Sequence, residues 1–211
     1  MENRGIAFVI SGPSGSGKGT VVDALRKIYD GAGVSVSATS RTPRPGEKEG
    51  VSYYYKTRAQ FEELIKNGEM LEYTEYNGNY YGTLKAEAER ILASGRDLIL
   101  EIEVNGGAAV RRLLGDRCVL IMLIAPDYET LEKRLRGRDT DSDEVVRGRL
   151  RRAREELLLA PTYDYVVVNE NGETLDSAAR ATAEKILAVI NAEHNRSFRT
   201  AGYIGEHFRE E

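Results

Sequence analysis

The chain has a single cysteine, Cys118, and so can form no intrachain disulfide. That fits a reducing compartment. Cys118 opens the apolar run "CVLIMLI" and reads as a small buried hydrophobe rather than a reactive thiol. Tryptophan is absent, and the two histidines, His194 and His207, lie far from every motif below. No Cys/His cluster suggests a structural metal. No apolar run approaches the roughly 20 residues of a membrane span. The N-terminal "MENRGIAFVIS" has too short an apolar run for a signal peptide, so the expected location is the cytoplasm. An excess of positive charge is missing too: Lys+Arg number 30 and Asp+Glu 34, a formal net charge of −4 over 211 residues. General nucleic-acid binding, which rests on neutralising many phosphates, is therefore not expected, and neither is membrane binding. Basic chemistry has to be local. There is no internal repeat and no low-complexity linker. At 41% hydrophobic and 30% charged residues, the chain can build a substantial core.

What is present is a rhythm. "IAFVIS" is a short apolar run ending in a Gly/Ser cluster, as a buried strand entering a loop should be. "KGTVVDALRKIYD" follows at helical spacing, and "GVSVSA" reads as a second strand. "RAQFEELIKNGEM" is helical, and Asn77-Gly78 inside "MLEYTEYNGNYYG" is a two-residue hairpin signal. "TLKAEAERILASG", "GGAAVRRLLG", "DYETLEKRLRGR", "SDEVVRGRLRRAREELLLA" and "TLDSAARATAEKILAVINAEH" read as helices. "RDLILEIEV", "CVLIMLIA" and "YDYVVVN" read as strands between them. Such alternation predicts an α/β fold with a central parallel sheet flanked by helices. Between residues 34 and 83 the rhythm breaks, and Tyr53, Tyr54, Tyr55, Tyr73, Tyr76, Tyr80 and Tyr81 crowd together. This stretch reads as an inserted mixed α/β lobe. The tail from Asn195 has weak periodicity and predicts no element.

Gly12, Pro13, Ser14, Gly15, Ser16, Gly17, Lys18, Gly19 and Thr20 lie between the first strand and the first helix. Gly12, Gly17 and Lys18 satisfy G-x-x-x-x-G-K, in which backbone N–H groups curl around phosphate oxygens and the lysine adds charge at the β/γ end. The helix N-terminus adds partial positive charge. The strict pattern has Ser or Thr directly after the lysine; here Gly19 intervenes, so Thr20 meets a nucleotide-bound Mg²⁺ either directly or through water. The dinucleotide fingerprint does not fit, because its last glycine would fall on Thr20. The loop reads as a nucleoside triphosphate site and does not identify an acceptor.

"SATSRTPRPGEKEG" places Arg41 and Arg44 three apart on a chain stiffened by Pro43 and Pro45. Two readings fit these residues alone: a solvated basic turn, or a second anion site using the planar fork of arginine.

Taken together, "SGPSGSGKGT", "SVSATSRTPRPGE", "GVSYYY", "GEMLEYTEYNGNYYGT", "LILEIEVNG", "LEKRLRGRDTDSDEVVRGRL" and "YDYVVVN" resemble guanylate kinases, in family order and over most of positions 6 to 169. The resemblance implies a P-loop NTPase core (1–33, 84–126 and 154–211), a GMP-binding lobe (34–83) and a helical lid (127–153). It implies ATP-dependent phosphorylation of GMP to GDP with Mg²⁺. Under it, the phosphate loop and Asn169 serve ATP, although capping a strand end is the other reading of Asn169. The GMP set would be Ser37, Arg41, Arg44, Glu47, Tyr53, Glu72, Tyr81, Gly82, Thr83 and Glu103. Arg41, Arg44, Tyr53 and Tyr81 would hold the phosphate, while Ser37, Glu72, Thr83 and Glu103 would read guanine. Guanine presents two adjacent donors that one carboxylate can accept, and adenine offers no such pair on that edge. Glu101-Ile102-Glu103 stands where the family often has Asp-Ile-Asp, putting Glu101 near the magnesium and Glu103 nearer the base. Asn105 stands where Gln is common.

Arg134 and Arg138, four apart, should share a helix face. Arg149 borders the stripe of Val146, Leu150, Ala153 and Leu157. With Lys18 and Arg41, these three arginines form the implied catalytic set, stabilising the charge of phosphoryl transfer. No direct protein ligand to a metal is expected; Mg²⁺ would come with ATP and sit near Thr20 and Glu101. ATP and GMP, with dGMP in reserve, are the expected partners, and the oligomeric state stays open between monomer and homodimer. Two alternatives stand beside this reading: a non-catalytic phosphopeptide-binding module of the same fold, and a kinase for another phosphorylated acceptor.

Overall fold

The computed structural model describes residues 5–33, 35–76, 78–137 and 142–207. The chain divides into two units, each assembled from separated stretches. A middle unit takes Arg4–Ser11 and Gly31–Leu120; a terminal unit takes chiefly Gly12–Asp30 and Ile121–Glu211.

The middle unit is built first around β1 (Ala7–Ser11), in which every residue is buried. A strand covered on both faces should be continuously apolar, and "AFVIS" nearly is. β1 runs parallel to β7 (Asp97–Glu101), with Val9 opposite Leu100. On the far side of β7, β2 (Ala32–Gly33) is parallel again. The strand order here is β2-β7-β1-β8, where β8 is Cys118–Ile124. The second sheet of this unit has the order β4-β3-β6-β5. It comprises β3 (Ala38–Thr39), β4 (Tyr54–Tyr55), β5 (Met70–Tyr76) and β6 (Asn79–Leu84). β5 and β6 form the antiparallel hairpin expected around Gly78.

The segment "GVSVSA" does not form the single strand its pattern predicts. The chain pairs with β7 at Ala32 and Gly33, then leaves for the second sheet at Ala38 and Thr39. Its backbone groups change partners on the way, Ser37 O accepting from Tyr54 N at 2.8 Å. Helix α2 (Arg58–Lys66) starts on a Thr57–Gln60 capping box and buries Phe61. Phe61, Ala38 and Met70 make a small core of their own, with the Tyr80 ring stacked on Phe61 at 5.2 Å. Arg58 covers Tyr80, 4.5 Å from its ring centroid, and pairs with Glu75 at 2.9 Å. Helices α3 (Lys85–Ala93) and α4 (Val104–Leu114) complete the unit.

In the terminal unit, α1 (Lys18–Ile28) buries Val21, Val22 and Leu25 and packs on α7 (Leu175–His194). The end of β8 pairs in parallel with β9 (Tyr165–Val168), Ile121 opposite Tyr165. α5 (Tyr128–Arg136) is capped by Asp127, and α6 (Asp143–Leu157) by Ser142. The two share an apolar cluster of Leu131, Leu135, Val146, Leu150 and Ala153. The tail is helical: α8 covers Ser197–His207. Its anchor is Glu193, fully buried at the end of α7. The Glu193 carboxylate accepts from Tyr165 Oη at 2.6 Å and from Arg199 at 3.2 Å. Among the described residues, no helix is long and apolar enough to cross a membrane.

Candidate active site

The loop before α1 has the backbone that its glycines permit. Gly12, Gly15 and Gly17 all have positive φ. Gly17 is the N-cap of α1, at φ 91°, and a Cβ placed there would lie 2.4 Å from the Asn169 side-chain nitrogen. Any larger residue would therefore be strained and would also displace Asn169. Lys18 Nζ donates to the carbonyls of Gly12 at 2.6 Å and Pro13 at 3.2 Å, so the ammonium folds over its own loop. Ser16 is buried, and Pro13 and Ser16 close a turn at 3.1 Å. Thr20, in the first turn of α1, is exposed.

Asn169 lies just past the end of β9 and is buried. Its Nδ2 donates to Ser16 O at 2.8 Å. Arg134 reaches the same place from α5, donating to Asn169 O and Asn171 Oδ1, each at 3.1 Å. Burial lowers the Arg134 pKa from the usual arginine value. Beside it opens a cavity of about 420 Å³ lined by Thr130, Lys133, Arg134, Asn171 and the first turn of α7. α5 ends at Arg136, and the face expected for Arg134 and Arg138 is described only at Arg134. Arg138 lies outside the described residues. Arg149 is half-buried on α6.

In the middle unit, the arginine loop is ordered by Glu47. One carboxylate oxygen accepts from Arg41 Nη2 at 2.8 Å; the other accepts from the Arg44 backbone N–H at 2.7 Å and Tyr55 Oη at 2.8 Å. These donors, the Arg41 guanidinium first, hold the Glu47 pKa down at about 2. The Arg41 pKa is raised correspondingly. The Arg41 guanidinium also lies over the Tyr53 ring, 5.6 Å from its centroid, and Tyr53 meets Tyr81 edge-on at 6.2 Å. Arg44 is exposed. The loop's entry is tied to β6 through Thr39 Oγ1, which donates to Tyr80 O at 2.9 Å and accepts from Arg41 N at 3.2 Å.

Glu72 on β5 is buried, and one of its oxygens accepts from Thr83 Oγ1 at 2.9 Å. Burial raises its pKa above that of an ordinary glutamate. Its other oxygen lies against the first turn of α4, 3.5 Å from where a Gly106 Cβ would stand. Gly82 has no room for a side chain, since a Cβ would lie 2.4 Å from Glu72 O; its place in the hairpin is steric. Ser37 is half-buried beside β3. Glu101 is the exposed last residue of β7. Against the prediction from the run "RDLILEIEV", Glu103 does not continue that strand but is the exposed N-cap of α4. Asn105 is exposed in the first turn of α4.

The terminal unit thus carries the glycine loop with Lys18, and the middle unit the arginine loop that Glu47 orders. The guanylate kinase family model matches residues 4–187. The chain belongs to the guanylate kinase family. It is 47% identical over 204 residues to the guanylate kinase of Streptococcus thermophilus strain CNRZ 1066, covering 96% of this chain and 94% of the relative. The guanylate kinase of Lactococcus lactis subsp. lactis is 47% identical over 196 residues, covering 93% and 92%. Among solved structures, the guanylate kinase of Anaplasma phagocytophilum is similar with a TM-score of 0.72 and 29% identity, covering 100% of this chain and 99% of its own.

Sequence reasoning placed Glu47 among ligand-binding groups but missed its work as organiser of the arginine loop. It also missed Thr182, a buried hydroxyl on α7 bonded to Asn169 at 3.0 Å. A threonine inside a small-residue helix gives no sequence signal. Only the arrival of β9 beside α7 makes it a partner.

Proposed function

We propose that this chain catalyses ATP-dependent phosphorylation of GMP to GDP. The observation that carries the reading is the pair of anion-ready surfaces in a guanylate kinase chain: a lysine-bearing phosphate loop and a tyrosine-lined arginine loop with a buried carboxylate nearby. ATP phosphates bind the loop around Lys18, and the adenine sits in the cavity beside Arg134 and Asn171. Arg41, Arg44, Tyr53 and Tyr81 hold the phosphate of GMP. The buried Glu72 accepts from guanine N1–H and N2–H, while Thr83 fixes its second lone pair and Ser37 and Glu103 add polar partners. The acceptor phosphate is already anionic, so the transfer needs no general base; it needs alignment and charge stabilisation, supplied by Lys18, Arg41, Arg149 and Arg138.

Magnesium fits the residues present. Mg²⁺ prefers a few hard oxygen donors and the substrate's own phosphates, and the exposed Thr20 hydroxyl in the first turn of α1 is such a donor. When bound, the ion supplies neutralisation of the β/γ-phosphate charge. The reaction belongs to purine nucleotide metabolism and to the cytoplasm, where its substrates are. A coupled ADP-release assay offering GMP, AMP, UMP and CMP tests the proposal. Turnover with GMP alone is the expected outcome. Turnover with AMP instead would overturn the guanine assignment, and GMP binding without turnover would favour a binding module.

A further inference from the structure

Asn169 is held from three sides, and the chemistry of those contacts fixes its amide. Ser16 O can only accept, so the group facing it at 2.8 Å has to be the amide nitrogen. The amide oxygen then faces Thr182 Oγ1 at 3.0 Å. A carbonyl oxygen cannot donate, so in this contact the Thr182 hydroxyl is the donor, its one proton shared between Asn169 Oδ1 and a second acceptor. The same hydroxyl also lies 2.9 Å from Ala178 O, one turn back on α7. Both side chains are buried, with Thr182 at 1% exposure and Asn169 at 6%, so water cannot replace a lost donor. Beyond Ser16 stands Gly17, whose missing Cβ leaves the space that the Asn169 nitrogen fills. The order of contacts is therefore α7, Thr182, Asn169, Ser16 O, phosphate loop.

We propose that Thr182 is a positioning residue for phosphoryl-donor binding: by orienting the Asn169 amide it holds the backbone of residues 16 and 17, and so aims the loop's N–H groups at the phosphates. This rests on the proposed use of that loop for ATP. It places the main action of Asn169 on the loop backbone rather than on the base.

The test uses the whole protein, with Thr182→Val removing the hydroxyl at nearly constant volume and Thr182→Ser retaining it. Calorimetry with ATP, and separately with inorganic tripolyphosphate, measures donor-site affinity without any need for an acceptor. Thr182→Val is expected to weaken both by a similar factor, about five- to tenfold for one buried acceptor left unpaired. Thr182→Ser should restore both to within about twofold. In kinetics the KM for ATP should rise while that for GMP stays within about twofold. Loss with ATP but not with tripolyphosphate would put Asn169 on the base and overturn the proposal. Unchanged affinity in folded Thr182→Val would overturn it too. Should Thr182→Val fail to fold, Thr182→Ala takes its place with the same expectations. Wild-type binding of ATP without GMP turnover would count against the kinase reading while leaving this inference testable by calorimetry.

Discussion

Glu47 gathers three donors onto one carboxylate: the Arg41 guanidinium, the Arg44 N–H and the Tyr55 hydroxyl. Charge-assisted bonds of this kind fix geometry as well as adding energy. Glu47→Gln should therefore loosen the loop and raise the KM for GMP about tenfold, leaving the KM for ATP unchanged in steady-state assays; equal rises in both would contradict the assignment. Glu72 makes a pH prediction. Its pKa is raised by burial, and in the proposed guanine contact only the carboxylate form would accept both donors. The KM for GMP should climb as pH falls towards that raised value, beginning above the ordinary glutamate value of about 4.3. Glu72→Gln should lose the climb and most of the preference for GMP over AMP. It should not lose stability at neutral pH, because the penalty of burying the charge disappears with it. At this scale the turns of the glycine loop were legible, because its glycine spacing sits between an apolar strand and a helix start. Glu47 and Thr182 were legible only as residue types, since their roles depend on partners that the fold supplies.

The elements were legible where apolar periodicity sets them. α1 buries Val21, Val22 and Leu25 of its helical spacing, and β1 and β8 are the continuous apolar runs of covered strands. "GVSVSA" was misread because period-two alternation does not reveal a change of sheet halfway along. α8 went unread because its anchor is ionic: a buried carboxylate on the preceding helix, met by Arg199 and by the phenol of β9. Burial works to raise the Glu193 pKa, but hydrogen bonds from Tyr165 and Arg199 and the charges of Arg196 and Arg199 prevail and lower it. A lowered carboxylate pKa contributes stability that is complete above the unfolded value of about 4.3 and is lost as pH falls through the folded one. Glu193→Gln should thus cost about 3 kcal/mol at pH 7, the usual scale for breaking a buried ion pair. The cost should shrink in acid denaturation series below pH 4. A pH-independent cost would show that the carboxylate's charge is not what holds α8.

At the scale of the molecule, the two surfaces should be separable by mutation. Lys18→Ala should reduce turnover to background with the circular dichroism spectrum and melting temperature retained, because the ammonium is only partly buried and donates to the Gly12 and Pro13 carbonyls of its own loop. Arg41→Ala should act chiefly on the KM for GMP. Near-normal turnover in the lysine variant would remove the phosphate loop from the mechanism. Sequence order disclosed the family and the parallel sheet, but not that the contacts divide the chain into two units that interrupt one another.

That interruption bears on how the protein is made. The middle unit has all its parts once residue 120 has left the ribosome, whereas α1 packs on α7, whose first residue is Leu175. At roughly 5–20 residues per second, the helix that follows the phosphate loop waits on the order of ten seconds for its partner. During that wait Val21, Val22 and Leu25 have no apolar cover from α7. A nascent chain arrested before Tyr165 should be cut by protease within Gly12–Asp30 while its middle unit resists; equal resistance of both would mean that α1 finds an earlier shelter.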